Sequence, residues 1–178
     1  MNRITIALLG LILLPGMAVA DSGKPFHALF YTSFEINGIV PPGTAPCGDV
    51  DFPPEAGPEC LVTIVSGAGH VKKMGFSRID LSDVIIFNDG PPKATSNYIQ
   101  ITADTGPQDA LFLEYVDLPA PFDAERNAAI IEGPVKIVGG IGRFAGAHGI
   151  VHMHVAAFLN NNTAIIRFRG RVGVRNDD

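Results

Sequence analysis

The feature that most constrains the fold is a period of two in the hydrophobic pattern near the C-terminus. Apolar residues occupy even-numbered positions and arginines occupy odd-numbered ones, so the two sets differ in the parity of their residue numbers. The apolar residues are Ile166, Phe168, Val172 and Val174, and the arginines are Arg167, Arg169, Arg171 and Arg175. Successive side chains of a β-strand point to opposite faces, so this segment has one buried face and one wet face. Such alternation is typical of antiparallel sheets that cover a core.

The rest of the chain repeats this organisation in short apolar or alternating runs, separated by clusters of Gly, Pro, Asn and Asp. These runs predict strands at 26–40, 61–65, 70–75, 79–87, 97–103, 110–117, 129–138, 148–159 and 163–174. The only candidate for a helical turn is 118–127. Seven to nine strands without long helices indicate an all-β domain, either a sandwich or a closed barrel.

The first twenty residues have the organisation of a secretory signal peptide. Arg3 precedes an apolar run at 4–14, and Ala18-Val19-Ala20 matches the small-x-small pattern before a cleavage site. The run is short for a membrane anchor, which needs about 20 apolar residues, although an uncleaved N-terminal helix is the alternative. We therefore expect a signal peptide at 1–20, a single β-domain at 21–178 without membrane anchoring, and a periplasmic or extracellular location.

The charge balance restricts the partners. The full chain has a formal net charge of −5, and removal of Arg3 with the signal leaves −6. An acidic domain is a poor ligand for nucleic acid or an anionic membrane, since both require basic patches. The arginines of the last strand are then most simply a solvated outer face. The sequence does not exclude a homo-oligomer.

The two cysteines, Cys47 and Cys60, lie at either end of a Pro- and Gly-rich segment. In an oxidising compartment such a pair predicts a disulfide, which closes a loop of about 14 residues and contributes roughly 3 kcal/mol. A thiol enzyme is the alternative, but no Cys-x-x-Cys motif supports it.

The most specific motif runs from Val138 to Gly149, with the sequence Val-Gly-Gly-Ile-Gly-Arg-Phe-Ala-Gly-Ala-His-Gly. It resembles the Gly-Gly-Thr-Gly-x-Phe-x-Gly-Ala-x-Gly signature of allene oxide cyclase-like and dirigent-like barrels, which many bacterial secreted proteins carry. A weaker match is Gly67 to Gly75, similar to the strand that opens the barrel in those proteins. The chain departs from the family at Ile141, where Thr is usual, and in the segment between its cysteines.

The resemblance implies a small antiparallel barrel of about eight strands, calycin-like or allene oxide cyclase-like, whose mouth holds a small apolar molecule. Barrels of this size have room for one such ligand or for a filled core. Plant members cyclise an allylic epoxide or guide radical coupling without a cofactor, so we expect no cofactor here. Their catalytic and ligand-binding residues cannot be matched to positions in this chain.

The glycines of the motif predict a structural role, because they permit positive φ and close backbone approach at a turn. Phe144 among them is expected to plug the barrel end or cover the turn. The predicted structural set is Gly139, Gly140, Gly142, Phe144, Gly146 and Gly149. A dinucleotide site is the rival interpretation, but a β-run follows the glycines and no acidic residue occurs between Glu132 and Asp177.

Three histidines, His148, His152 and His154, share one parity and are weak candidates for a metal site. The apolar residues of the opposite parity favour an incidental surface cluster instead. Carboxylates in apolar strand contexts, Glu35, Glu114 and Glu132, are candidates for a general acid in the lumen, although a wet-face position is favoured. Hydroxyl donors to a ligand are Tyr31, Tyr98 and Tyr115.

Three functions follow from the sequence. The first is a barrel that binds a small apolar or amphipathic molecule in its mouth. The second is a cofactor-independent cyclase or isomerase that acts on a small hydrophobic substrate through a lumen carboxylate. The third is an interaction module whose barrel is filled by side chains. An open interior, an inward carboxylate and a packed interior are the respective observations that distinguish them.

Overall fold

The structure is a computed structural model that describes residues 23–40, 59–87, 91–105 and 108–174, with the side chains of 37–40 and 59 excluded. The predicted signal peptide and Cys47 lie outside these residues, so both remain predictions. No helix in these ranges is long and apolar enough to cross a membrane.

Nine strands and one 3₁₀ turn make up the described chain. The strands are β1 (Lys24–Val40), β2 (Glu59–Val71), β3 (Gly75–Phe87), β4 (Lys93–Ala103), β5 (Ala110–Pro119), β6 (Phe122–Asp123), β7 (Ala128–Ile141), β8 (Ala147–Phe158) and β9 (Thr163–Val174). The 3₁₀ turn, Gly142–Phe144, connects β7 to β8.

Eight of these strands close into an antiparallel barrel, as predicted. The sheet order is β5-β4-β3-β2-β1-β9-β8-β7, and pairing of β5 with β7 completes the ring. β6 is an extra two-residue strand on β7. The sandwich alternative is therefore wrong. The predicted helical turn at 118–127 is also wrong, because β5 extends to Pro119 and β6 follows within that segment.

The barrel has two unlike ends. At the end that we call the glycine end, the described residues between consecutive strands are 72–74, 104–105, 108–109 and 142–146. At the opposite end, the cavity end, residues 120–127 and 159–162 are among the connections. Large side chains fill the interior from the glycine end to the middle, where Phe30 and Phe168 meet edge to face with their ring centroids 6.4 Å apart.

Burial follows the alternation expected from the sequence on the last two long strands. On β8, Val151, Met153 and Val155 are buried, and on β9 the arginines Arg167 and Arg169 are exposed. The interior face of an antiparallel barrel takes every second residue of each strand. Parity in the sequence was therefore sufficient to separate the inside from the outside on these strands.

The glycine motif forms the tight turn between β7 and β8. Gly142 has φ +62°, and a Cβ there would clash with the Gln108 carbonyl oxygen. The Arg143 backbone N–H and Nε donate to the two carboxylate oxygens of Asp109, at 2.8 and 2.6 Å. Phe144 is partly buried against the main core. These contacts fit a structural role at the glycine end.

Candidate functional site

A cavity opens inside the barrel at the cavity end. Among the residues that the structure describes, its lining is apolar except for Thr63, Asp83 and Tyr115. The space open to the centres of water-sized molecules is about 50 Å³, and all empty space between the lining atoms, including the mouth, is about 560 Å³. The volume of about 50 Å³ limits the size of a ligand, because the volume of about 560 Å³ includes open solvent. A single water needs about 10–15 Å³ on the same measure, so the cavity accepts a slender molecule.

Small side chains on three neighbouring strands create this space. Ala129 on β7 is the cross-strand partner of Ala157 on β8, which is the partner of Ala164 on β9. All three line the cavity. Because the Cβ atoms of cross-strand partners lie only about 5 Å apart, the three alanines form one continuous row of small side chains on the cavity wall. The larger Met153 and Ile166 lie deeper and close the floor.

The three polar residues of the lining form one hydrogen-bonded cluster on strands β2, β3 and β5. The Thr63 hydroxyl donates to Oδ1 of Asp83, and the Tyr115 hydroxyl donates to Oδ2 of Asp83 at 2.9 Å. Asp83 is 5% exposed and Tyr115 is 3% exposed. Within the described residues no buried side-chain nitrogen or oxygen lacks a partner. Both oxygens of the carboxylate are therefore satisfied without a ligand.

Burial changes the protonation of this cluster. Removal of Asp83 from water raises the pKa of its carboxyl from 3.8 to about 6, although the hydrogen bond from Tyr115 acts in the opposite direction. Burial and the nearby negative charge of Asp83 raise the pKa of Tyr115 well above its usual 10. At neutral pH the cluster thus holds a carboxylate that takes up a proton on mild acidification, beside a neutral phenol.

The arrangement offers two kinds of chemistry. A carboxyl group whose pKa lies near 6 exchanges a proton readily close to neutral pH, as a general acid or base requires. The same group, with the Tyr115 hydroxyl, accepts or donates hydrogen bonds to a polar group of a bound molecule. The apolar surroundings strengthen either interaction, since water competes less there.

The carboxylates singled out from the sequence lie elsewhere. Glu35 and Glu132 are exposed, and Glu114 is half-buried on the outer face, where Lys136 Nζ lies 3.2 Å from its Oε1. The favoured wet-face position is therefore confirmed for them. Of the three tyrosines, Tyr31 and Tyr98 are 64% and 48% exposed, and only Tyr115 faces the cavity.

The histidines project from the outer face of β8. His148 and His152 are exposed, and His152 Nε2 lies 3.8 Å from Oε1 of Glu132 on β7. His154 is half-buried beside Glu132. No group of three or more metal-ligating side chains occurs among the residues that the structure describes.

Cys60 is fully buried at the start of β2, packed with Val62 and Ile86, and is not a free thiol. Because Cys47 lies outside the described residues, its pairing with Cys60 remains a prediction.

The central residue of the cluster, Asp83, is one that sequence reasoning missed. A signal for it exists, since Asp83 shares parity with Ile79, Leu81 and Ile85 in the strand predicted at 79–87. Parity there is ambiguous, however, because Val84 and Ile86 are apolar on the other face as well. Val84 and Ile86 belong to the cluster around Cys60, so this part of β3 is covered on both faces.

The comparisons with known proteins return nothing for this chain: no protein-family model, curated protein sequence or solved structure matches it.

Proposed function

We propose that this barrel binds a small, mainly apolar molecule in the cavity, with one polar group of that molecule against Asp83 and Tyr115. The observation that carries the proposal is an apolar cavity whose polar atoms are confined to one hydrogen-bonded cluster on one wall. Ligand sites are typically apolar with a few polar groups that fix orientation. The resemblance of residues 138–149 to allene oxide cyclase-like and dirigent-like barrels supports the same function.

The dimensions of the cavity narrow the ligand class. The 50 Å³ available to water-sized centres suits an unbranched chain or a single small ring rather than a fused polycycle. Buried Asp83 favours a neutral polar group, such as a hydroxyl or a carbonyl, over an anion, since two negative charges in an apolar site repel each other strongly. The signal-like residues 1–20 extend the proposal to a protein that works in the periplasm or outside the cell.

The binding proposal is tested with n-alkanols from hexanol to decanol, observed through the NMR signals of the Met153 and Ala164 methyl groups. We expect saturable shifts in the wild-type protein. Ala157→Phe places a ring in the row of alanines and should abolish the shifts. Ala156→Phe is the matched control. Ala156 directly precedes Ala157 on β8 and does not line the cavity, so its variant should bind as the wild type does.

The outcomes separate clearly. Absence of saturable binding by every alkanol would contradict the proposal. Equal loss of binding in the Ala156 and Ala157 variants would also contradict it, because the effect would then not depend on the cavity. Both variants are compared with the wild type by circular dichroism, so that a folding defect is recognised.

A second candidate is a cofactor-independent isomerase or cyclase, favoured by the inward Asp83 with its pKa raised to about 6. In this function Asp83 transfers a proton to or from the bound substrate, and Tyr115 hydrogen-bonds the oxygen at which charge develops. Asp83→Asn distinguishes the two functions: binding alone survives the substitution, whereas turnover of a bound substrate is lost.

A further inference from the structure

The cationic side chains on the outer surface of the barrel fall into two groups, those paired with a carboxylate and those that are not. Five described cations have a carboxylate oxygen within 4.0 Å: Arg78, Lys93, Arg126, Lys136 and Arg143. Six others in the described ranges have none: Lys24, Lys72, Lys73, Arg167, Arg169 and Arg171. All six lie on β1, on β9 or in the turn between β2 and β3. Unpaired positive charge is thus concentrated on one side of the molecule.

Strand register arranges basic side chains on this side in two rows. Arg169 on β9 is the cross-strand partner of His27 on β1 and of His152 on β8. Arg167 is in the same way the partner of Leu29 and of His154. His70 on β2, the partner of Leu29, extends one row. Lys72, in the turn that follows β2, extends the other, and its backbone N–H donates to the His27 carbonyl oxygen at 2.9 Å.

These rows border two shallow depressions that share Arg167 and Arg169. We call the surface formed by Lys72, Arg167, Arg169 and the histidines His27, His70, His152 and His154 the cationic face. Among the described residues, Glu132 is the one carboxylate that lines either depression. With neutral histidines the cationic face and Glu132 together carry +2, on a chain whose net charge is −5. A chain with a net negative charge therefore has a local basic surface, formed by residues of β1, β2, β8 and β9 and of the turn after β2.

We propose that the cationic face binds a linear acidic polysaccharide. Guanidinium groups bind carboxylate and sulfate oxygens in pairs, which suits Arg167 and Arg169. These arginines stand two residues apart on one strand, about 7 Å, and neighbouring strands repeat at about 4.8 Å. A chain with anionic groups at regular intervals engages such an array at several points, and the histidine rings add donors for its hydroxyls.

Two other polyanions fit this face less well. Single-stranded nucleic acid requires exposed aromatic platforms for its bases. The only Phe, Tyr or Trp that lines either depression, within the part of the chain that the structure describes, is the buried Phe168. An anionic membrane is flat, whereas the barrel wall is convex. In the described ranges, no large apolar side chain that lines the depressions is exposed for insertion into lipid.

The test measures binding of fluorescein-labelled oligogalacturonate and of dextran sulfate by fluorescence anisotropy at low salt. Arg167→Gln/Arg169→Gln should weaken binding by about tenfold or more, because two charge-assisted contacts are lost. Arg126→Gln/Lys136→Gln is the matched control, with the same change in net charge at paired cations elsewhere, and should change affinity by less than about twofold. About 0.5 M NaCl should abolish binding, since charges are then screened within a few ångströms.

Three results would overturn the proposal. One is the absence of saturable binding to both polysaccharides, and another is equal weakening in the two double variants, which would indicate a net-charge effect only. The third is tighter binding to single-stranded DNA or to phosphatidylglycerol vesicles than to either polysaccharide. Circular dichroism checks the fold of each variant. The interior variant Ala157→Phe should leave polysaccharide binding unchanged, so this proposal and the cavity proposal fail independently.

Discussion

Replacement of Asp83 by Asn should remove a large part of the pH dependence of stability. Burial raises the pKa of Asp83 from 3.8 to about 6, slightly more than two units. Each unit corresponds to 1.36 kcal/mol, so ionisation of this carboxyl costs about 3 kcal/mol more in the folded chain than in the unfolded one. That is a substantial fraction of the 5–15 kcal/mol by which a typical domain is stable.

The sign of the effect follows from proton binding. Between pH 3.8 and about 6 the folded chain holds the Asp83 proton and the unfolded chain has released it. Stability therefore falls as pH rises through this window. The contribution of the neutral carboxyl is complete below pH 3.8 and is lost above about pH 6. The amide that Asp83→Asn introduces has no proton to release, so this variant lacks the dependence.

The assay is urea denaturation of both proteins at a series of pH values from 3 to 7.5. The free energy of unfolding of the wild type minus that of Asp83→Asn should decrease by about 3 kcal/mol across the series. For a chain of this size, the difference between the thermal midpoints of the wild type and Asp83→Asn should change by roughly 6–12 °C across the same pH range. The subtraction cancels the titration of the other carboxylates.

Asp109 provides a control of opposite sign. Its hydrogen bonds from the Arg143 backbone and side chain lower the pKa of this carboxyl. The stability that it contributes is present above the pKa of an unfolded Asp and is lost on acidification. The free energy of unfolding of the wild type minus that of Asp109→Asn should accordingly increase with pH. If the corresponding difference for Asp83→Asn stayed constant or rose with pH, the argument that burial raises the pKa of Asp83 would be refuted.

Two further predictions concern single contacts. Tyr115→Phe removes the hydrogen bond that lowers the pKa of Asp83, so the midpoint of the stability loss should move above pH 6. NMR titration of the Asp83 carboxyl measures this midpoint, and an unchanged or lower value would contradict the effect assigned to the hydrogen bond. Gly142→Ala should cost at least about 2 kcal/mol because it combines positive φ with a clash against the Gln108 carbonyl. Gly75→Ala, at φ +83° with open space around the new methyl, should cost only about 1 kcal/mol. Equal values in urea denaturation would show that the clash is relieved by backbone movement.

Much of the architecture could be predicted because strand periodicity is a local property. The apolar parity of 151–159 and of 166–174 identified the inner face of β8 and of β9. Turn residues between runs marked most of the strand ends, but the separate strands predicted at 61–65 and 70–75 are wrong, because β2 runs without a break to Val71 and a turn follows at 72–74. The number of predicted strands limited the architecture to a sandwich or a barrel. The wet-face position favoured for Glu35, Glu114 and Glu132 followed from the cost of an unpaired buried charge, and the structure confirms it.

The interior site was less accessible to such reasoning. On β3 both parities are apolar near Asp83, so no alternation marks this carboxylate as inward. Its partners Thr63 and Tyr115 come from β2 and β5, which lie 20 and 32 residues away along the chain. Tyr115 was one of three equivalent candidates until the barrel placed it opposite Asp83.

By itself, the sequence determined the class of fold, the faces of the most regular strands and the position of the glycine turn. Only the tertiary structure decided that β5 closes onto β7, that the cavity lies at the end opposite the glycines, and that arginine, lysine and histidine side chains distant in the sequence form one face. The physical reason is that side-chain periodicity depends on neighbours two residues apart. Ring closure, interior volume and surface charge depend on strands that are distant in the chain and meet only when the barrel forms.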